Sequence, residues 1–173
     1  MSFIEEEIRN LVLLKSNHKT LFDPIRKKSV PALPEEIVRQ QVLKHMMETL
    51  QFPSSLIAVE KDLSSIPHLS QEVFSSEKRR VDILVYGKGL HPSYDLFPLV
   101  IVECKAHKIN QKTIDQVMGY NYYIKAPFVV LAAPKQVLFF QKEKKTGKFI
   151  QIKALQSYQN LIGVVKEESL LLT

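Results

Sequence analysis

The sequence predicts an α/β domain built on a mixed central β-sheet flanked by helices. Residues 34–50 and 111–125 carry helical signals, and three strand candidates lie between them at residues 56–61, 80–86 and 98–106. Further strand candidates follow the second helix. An order of helix, three strands, helix and strand is typical of a mixed sheet with helices packed on its faces.

The first helix is the most clearly marked element. Proline fits the first helical turn, so Pro34 marks the start, and Glu35 and Glu36 favour the positive end of the helix dipole. Apolar residues then recur at helical spacing from Ile37 to Leu50. This segment therefore predicts a helix with one buried face.

The central strand is indicated by an uninterrupted apolar run at residues 99–102, because a strand covered on both faces is apolar throughout. Glycine, proline and serine lie between this run and the preceding strand, at residues 87–93, and predict a long-looped antiparallel pair. The strands predicted after the second helix are residues 128–133, 137–141 and 149–153.

The length of 173 residues suits one compact domain, residues 1–173, with an N-terminal arm at residues 1–33. Within the arm, residues 3–15 fit either a helix or a strand, and residues 16–33 predict ordered chain around a short strand. No Gly-x-x-x-x-Gly-Lys-Ser/Thr motif occurs, so we expect neither a nucleotide cofactor nor a helicase motor.

The composition excludes several classes of site. The single cysteine, Cys104, leaves no intramolecular disulfide and no cysteine-rich zinc site. The acidic N-terminus is unlike a signal peptide, and the longest uncharged apolar run, residues 126–134, is far shorter than the roughly 20 residues that span a bilayer. We therefore expect a cytoplasmic protein with no membrane partner.

The charge favours a polyanionic partner, and DNA is the partner we expect. The net charge is +6 and the pI is near 9.3, and cationic side chains displace counterions from a phosphate backbone. Basic residues flank the two central strands. The candidates for nucleic-acid contacts are Lys78, Arg79, Arg80, Lys108 and Lys112.

Two charged residues end the apolar central strand. Because side chains alternate across a strand, Glu103 and Lys105 are expected on one face and Cys104 on the other. A carboxylate beside an ammonium group can hold a metal ion and a nucleophilic water. Taken alone, the pair also fits a surface ion pair at the sheet edge.

A second acid, Asp82, lies in the preceding apolar strand, so pairing of the two strands places it beside Glu103. Two buried carboxylates repel unless a cation lies between them, and oxygen-rich sites suit Mg²⁺ or Mn²⁺. We expect the two carboxylates within about 6 Å of each other, with Lys105 on the same side. Such a cation activates water for phosphodiester hydrolysis, and Lys105 would position or deprotonate that water or stabilise developing charge.

These motifs resemble those of a nuclease superfamily. Asp82, a loop and then Glu103-Cys104-Lys105 resemble the PD-(D/E)XK signature, in the variant that lacks the proline before the aspartate. More narrowly, the chain resembles the N-terminal nuclease domain of type I restriction enzyme R subunits over residues 20–141. The matching segments are residues 23–28, 34–40, 80–83, 102–106 and 116–120.

The resemblance implies a restriction-endonuclease-like fold with a helix, three strands, helix and strand core. It also implies that Asp82 and Glu103 bind the metal and that Lys105 is the catalytic lysine. Glu36 matches the acid that the superfamily often places on its first helix, where it holds metal through water. Glu35 is the neighbouring candidate and is expected to face solvent near the helix start.

Two further pairs belong to the resemblance. Gln116 and Tyr120 stand at i, i+4 and match a Gln-x-x-x-Tyr element near the DNA and the active centre, although an amphipathic helix edge explains the spacing equally well. Arg39 and Gln40 match the family's Arg-Gln pair, for which a structural role is open. The chain departs from the family at residues 133–135, where Ala-Pro-Lys replaces the common Asn-Gly turn.

The sequence therefore predicts a metal-dependent nuclease that hydrolyses DNA phosphodiester bonds, as a stand-alone domain without a helicase motor. The alternative is a catalytically silent nucleic-acid-binding or protein-docking module that keeps the nuclease fold. A third interpretation is a basic α/β protein with no nucleic-acid role. Retention of Asp82, Glu103 and Lys105 together favours the enzyme.

Overall fold

The computed structural model describes residues 19–69 and 79–170. Three α-helices lie in this part of the chain: α1 Pro34–Glu48, α2 Gln111–Ile124 and α3 Tyr158–Leu170. The strands are β1 Thr20–Asp23, β2 Lys28–Pro31, β3 Ile57–Asp62, β4 Arg80–His91, β5 Tyr94–Cys104, β6 Phe128–Ala133, β7 Gln136–Lys142 and β8 Phe149–Ile152. Short 3₁₀ helices, Ser54–Leu56 and Leu63–Ser65, flank β3.

The central sheet has six strands in the order β3-β4-β5-β6-β7-β8. Strands β5 and β6 pair in parallel, and the other neighbours in this sheet pair antiparallel. The parallel pair requires a crossover, which α2 provides. The predicted mixed sheet flanked by helices is confirmed. Strands β1 and β2 form a separate two-stranded hairpin within the arm.

Each face of the sheet carries its own apolar core. On one face, Val38 and Leu43 of α1 and Leu161 of α3 pack with β-strand residues that include Val102. On the other face, residues of α2 such as Ile124 pack against the alternate side chains of the same strands. Residues 99–102 are fully buried, which confirms the central strand predicted from their apolar run.

The helices are too short to cross a bilayer: none in the described part of the chain combines the required length and apolar character. The cytoplasmic location stays a prediction.

The prediction of a long loop at residues 87–93 is wrong. Strand β4 continues to His91 and β5 begins at Tyr94, so the two strands are joined by a tight turn. Register shifts between Lys88 and His91, together with the positive φ of 65° at Gly89, absorb the irregular segment within the hairpin. Helix α3 was not predicted, and residues 3–15 lie outside the described residues.

Gly87 gives a test of how tightly α3 packs on this hairpin. A Cβ there would lie 2.2 Å from Leu90 Cδ1 and 2.9 Å from Ile162 Cδ1. We expect Gly87→Ala to lower the free energy of unfolding by about 1–3 kcal/mol, because overpacking forces neighbours to shift. Urea unfolding measures this change.

The matched control is Gly119→Ala on the exposed side of α2, where a Cβ meets no heavy atom within 4 Å. Alanine has the higher helix propensity, so this variant should be more stable by about 0.5–1 kcal/mol. If Gly87→Ala is as stable as the original chain, Leu90 and Ile162 move aside without cost and the tight contact is refuted.

Candidate active site

The candidate acids lie where β4 and β5 meet at one end of the sheet. The antiparallel ladder between these strands runs to the pair Ile83 and Val102. One residue further, the Asp82 side chain replaces the backbone as hydrogen-bond acceptor: its Oδ2 accepts the backbone N–H of Cys104 at 2.7 Å. Asp82 is thereby held against the backbone between Glu103, which lies in β5, and Lys105, which follows β5.

Glu103 is 8% exposed, and both of its carboxylate oxygens accept hydrogen bonds. Lys105 Nζ donates to Oε1 at 2.6 Å, so the ammonium lies on the same side of the strand as the acid. The Tyr120 hydroxyl, carried by α2, donates to Oε2 at 2.7 Å. Gln116, one turn earlier on α2, is exposed and does not join this hydrogen-bonded cluster of described residues.

The charges in this cluster are coupled. Burial raises the pKa of Glu103 and the negative charge of Asp82 raises it further, while Lys105 and Tyr120 oppose both effects. Asp82 and Glu103 therefore lie within electrostatic reach of each other, and their predicted separation stays a prediction. Burial lowers the pKa of Lys105, but the hydrogen bond and charge of Glu103 outweigh it, so the net pKa is raised.

Tyr120 acts as a hydrogen-bond donor to Glu103. The side chain is 6% exposed, and burial raises the pKa of its phenol well above the usual value, with the charge of Glu103 adding to the shift. The phenol therefore keeps its proton near neutral pH. Helix α2 fixes the position of Glu103 through this contact.

Arg39 of α1 is the counter-ion of Asp82. It is 5% exposed, and its Nη2 donates to Asp82 Oδ1 at 2.6 Å, while Nη1 donates to Glu36. Burial lowers the pKa of Arg39, but the charges of Asp82 and Glu36 outweigh burial, so the pKa is raised. The sequence marked Arg39 only as a possible structural residue, and its contact with Asp82 was missed.

Glu36 belongs to a second network that faces the N-terminal arm. Its Oε1 accepts from Gln40 Nε2 at 2.8 Å and from Arg26 Nη2 at 2.5 Å. Arg26 in turn donates through Nη1 to Glu60 Oε2 at 2.6 Å. Glu36 is 7% exposed, so these contacts occupy a buried carboxylate that ties the arm to α1.

Asp23 completes this network and is fully buried. It accepts the backbone N–H groups of Ile25 and Arg26, the Arg26 Nε and the Gln40 side chain, at 2.7–2.8 Å. Burial raises the pKa of Asp23, but the hydrogen bonds from Arg26 and Gln40 outweigh it, so the pKa is lowered. Residues 23–28, one of the segments that carry the family resemblance, contain both Asp23 and Arg26 of this network.

Glu35 of α1 also lies within electrostatic reach of the strand-end cluster. Burial raises the pKa of Glu35, the charge of Asp82 raises it further, and Lys105 and Arg39 oppose these effects. The Glu36 carboxylate contacts Asp82 only through the shared Arg39 guanidinium, and the Glu35 side chain is 43% exposed. Arg26 of the docked arm also binds the Glu36 carboxylate. The roles of Glu36 and Glu35 at the site stay predictions.

The predicted nucleic-acid contacts are exposed where the structure describes them. Arg79 and Arg80 stand at the start of β4, and Lys108 and Lys112 stand between the end of β5 and the first turn of α2. Lys78 lies outside the described residues. Contact of these residues with DNA stays a prediction.

A cavity of about 540 Å³ adjoins this end of the sheet. It lies between the segment that follows Lys105 and the turn that joins β6 to β7. This turn contains Lys135, where the sequence departs from the family's Asn-Gly. The cavity is lined by Ala106, His107, Lys108, Ala133, Pro134, Lys135 and Gln136, with no acidic side chain among them.

The donor chemistry at the strand ends fits a hard divalent cation. Within residues 19–69 and 79–170, no group of three or more His, Cys, Asp or Glu side chains is arranged to hold a metal ion. Mg²⁺ usually binds one or two carboxylates, keeps several waters and takes substrate phosphate oxygens. Asp82 and Glu103 supply the two carboxylates, and the charge of Asp82 adds to the effect of burial in raising the pKa of Glu103.

Comparison with known proteins decides the family. The sequence profile described as "Type I restriction enzyme R protein N terminus" matches residues 34–155, more than two thirds of the chain. The chain belongs to this family. Membership in the type I restriction enzyme R N-terminal family gives the protein a nuclease-related role.

A solved structure resembles this member of the type I restriction enzyme R N-terminal family. It is a fragment described as an HsdR subunit of a type I restriction enzyme from Vibrio vulnificus YJ016, with 14% identity and a TM-score of 0.49. The match covers 87% of this chain and 26% of that one. No curated protein sequence matches.

The two glutamates of α1 should differ in their effect on stability. Glu36→Gln removes a buried charge from Arg26 and Arg39, and we expect it to lower the free energy of unfolding by about 1.5–3 kcal/mol. Glu35→Gln, on a side chain that is 43% exposed, should change it by less than about 0.5 kcal/mol. Urea unfolding compares the two, and a larger loss for Glu35→Gln would contradict the assigned orientations.

Proposed function

We propose that this member of the type I restriction enzyme R N-terminal family is a Mg²⁺- or Mn²⁺-dependent nuclease that hydrolyses DNA phosphodiester bonds. We assign it the PD-(D/E)XK type and a restriction-endonuclease-like core. The observation that carries the proposal is the hydrogen-bonded cluster at one strand end. Glu103 accepts from Lys105 there, and Asp82 accepts the N–H of the intervening residue, Cys104.

Asp82 and Glu103 would hold the cation, and a bound cation supplies an activated water and offsets charge on the transferring phosphoryl group. The protein holds both carboxylates in place beforehand. Arg39 and the Cys104 N–H fix Asp82, and Tyr120 fixes Glu103. Preorganised groups of this kind need no rearrangement when charge develops.

Lys105 supplies positive charge to the reaction. Its net pKa is raised, so the ammonium stays protonated near neutral pH and donates hydrogen bonds to a water or to a phosphate oxygen. A protonated lysine does not accept the proton of the attacking water. Glu35 is the nearby carboxyl with a raised pKa, and this makes it a better proton acceptor than an ordinary surface glutamate.

The basic surface supports DNA as the substrate. Arg79 and Arg80 precede the Asp82 strand segment, and Lys108 lines the cavity that adjoins Lys105. Each phosphate that these cations neutralise releases counterions, which favours binding at low salt. These exposed cations lie on the segments that lead into β4 and follow β5, where they could meet the phosphates of a bound DNA strand.

One observation favours a second candidate function, a catalytically silent nucleic-acid-binding or protein-docking module. Protein groups donate hydrogen bonds to all four carboxylate oxygens of Asp82 and Glu103. These contacts hold the two acids in place by themselves, as a catalytically silent module would require. The two candidates make opposite predictions about cleavage.

Cleavage of DNA should require Mg²⁺ or Mn²⁺ and stop on chelation. Asp82→Asn and Glu103→Gln each remove a charged ligand, and Lys105→Ala removes the ammonium, so each should lower the rate by about a hundredfold or more. Single-turnover assays on single-stranded, duplex and branched DNA measure these rates. Mg²⁺ should also raise the Tm of the original chain and leave that of Asp82→Asn unchanged.

Asp115→Asn is the control, because this exposed acid lies on α2 and bonds Gln111. Its cleavage rate should match that of the original chain. If the protein binds DNA with a steep salt dependence but cuts none of the three substrates with either metal, the silent module is correct and the nuclease is refuted.

DNA affinity should depend on the basic residues that flank the site. Arg79→Glu and Arg80→Glu together should weaken binding and reduce the slope of log K against log salt by about 0.9 for each phosphate that is no longer neutralised. Fluorescence anisotropy at several salt concentrations measures the slope. Lys28→Glu, on the exposed arm hairpin, should leave the slope unchanged. Equal slopes for both variants would remove Arg79 and Arg80 from the interface.

A further inference from the structure

A second cavity, of about 580 Å³, opens at the other end of the sheet, beside the C-terminal end of α2. Its wall combines three aromatic rings, Tyr122, Tyr123 and Phe149, with two lysines, Lys125 and Lys142. No acidic side chain among the described residues lines it. Phe149 packs against the sheet core, but neither the core nor the proposed nuclease centre accounts for the two tyrosines and the two lysines.

The two tyrosines present aromatic surface to solvent. Tyr122 is 78% exposed and Tyr123 is 42% exposed, and their ring centroids lie 5.2 Å apart at an interplanar angle of 89°. Helix α2 buries its other face through Val117, Tyr120 and Ile124, so burial in the core does not explain either exposed ring. Every nucleobase has a π-face that stacks on such a ring.

The hydrogen-bonding groups inside the cavity are already engaged by the protein. The Asn121 amide donates to the Ala126 carbonyl at 2.9 Å and accepts the Ala126 N–H at 3.1 Å. The His68 Nε2 lies 2.8 Å from the Ile124 carbonyl. Few groups are therefore left to read the edge of a base, and stacking on the rings is the contact that the site offers.

The cavity lies on the same sheet face as the Glu103–Tyr120 contact but away from it. It borders Ala126, which precedes β6, whereas Glu103 pairs with Leu131 of β6. Five residues of strand at 3.3 Å each separate the two positions by roughly 16 Å. A single DNA strand with stacked bases rises about 3.4 Å per nucleotide, so about five nucleotides span that distance.

We propose that this cavity binds an unpaired nucleotide of a single-stranded DNA segment. Its base stacks on the ring of Tyr122 or of Tyr123, which stand at 89° to each other, and the adjoining phosphates lie against Lys125 and Lys142. The inference rests on the nucleic-acid part of the proposed function, and it adds a substrate class, DNA with an unpaired stretch. It does not depend on metal binding or cleavage.

Binding of a short oligothymidylate, measured with a chelator present, tests the stacking. The double variant Tyr122→Ala/Tyr123→Ala should bind it at least about fivefold more weakly, while its affinity for a blunt duplex of equal length stays within about twofold. Tyr122→Phe/Tyr123→Phe keeps the rings and should keep the affinity. Phe22→Ala, at a ring that is 66% exposed on β1, is the control for loss of an exposed aromatic.

The salt dependence of oligothymidylate binding tests the contribution of Lys125 and Lys142. Lys125 has a left-handed backbone with φ of 64°, so Lys125→Gly removes the charge without straining the chain. Combined with Lys142→Ala, it should reduce the salt slope by about 1 to 2. Lys153→Ala, beyond the opposite end of the β7–β8 hairpin, should leave the slope unchanged.

A photo-crosslink locates the bound strand directly. Oligonucleotides that carry 5-iodouracil crosslink to aromatic side chains in contact with the base, and trypsin cutting after Lys112 and Lys125 releases residues 113–125 as one peptide. The crosslink should map to Tyr122 or Tyr123 in this peptide. A crosslink confined to other peptides would overturn the proposal.

The outcomes separate this site from the nuclease centre. If the Tyr122→Ala/Tyr123→Ala variant loses single-strand and duplex affinity equally, or loses neither, the stacking site is refuted whether or not the protein cleaves DNA. If the protein cleaves nothing but shows the single-strand loss and the crosslink, the cavity proposal stands and the nuclease proposal fails.

Discussion

The ion pair between Arg39 and Asp82 is the contact on which the candidate active site depends. Arg39 comes from α1 and is 5% exposed, so its charge needs buried partners, and removing one partner of a buried pair commonly costs several kcal/mol. The guanidinium meets this need by bridging Glu36 on its own helix and Asp82 on β4. The helix is thereby fixed against the strand end, and Asp82 is left with one oxygen for the Cys104 N–H.

This ion pair also explains why the site is compatible with either an enzyme or a catalytically silent module. Asp82, Glu103 and Glu35 are three carboxyls near one another, and Arg39 and Lys105 are the two cations among them. Burial raises the pKa of Glu103 and of Glu35 and the charge of Asp82 raises both further, while protein hydrogen bonds keep Asp82 and Glu103 ordered. The same geometry is therefore compatible with the proposed cation site and with a silent module that the protein's own hydrogen bonds hold in place.

Local sequence patterns predicted the parts of the fold that local chemistry determines. The apolar run at 99–102 predicted the central strand, Pro34 predicted the start of α1, and strand alternation placed Glu103 and Lys105 on one side. Contacts between distant segments were not predictable. The ion pair between Arg26 and Glu36 is one such contact, because Arg26 lies ten residues before Glu36 in the docked arm. The antiparallel pairing of β4 and β5 was predicted, but the tight turn was missed because Gly87 and Gly89 lie within β4 and only Pro92 and Ser93 form the turn.

Helix α2 connects the two ends of the sheet that carry proposed functions. Its buried face brings Tyr120 to Glu103, and its exposed side presents Tyr122 and Tyr123 to the second cavity. The helix is anchored by Val117 and Ile124 in the core and by the Asn121 contacts to Ala126, so these positions cannot shift independently. A helix anchored along its C-terminal half in this way fixes the spacing between the acids and the exposed rings. A single DNA strand that contacts both the acids and the exposed rings must match this fixed spacing. The spacing follows from the packing of α2 rather than from any motif in the sequence.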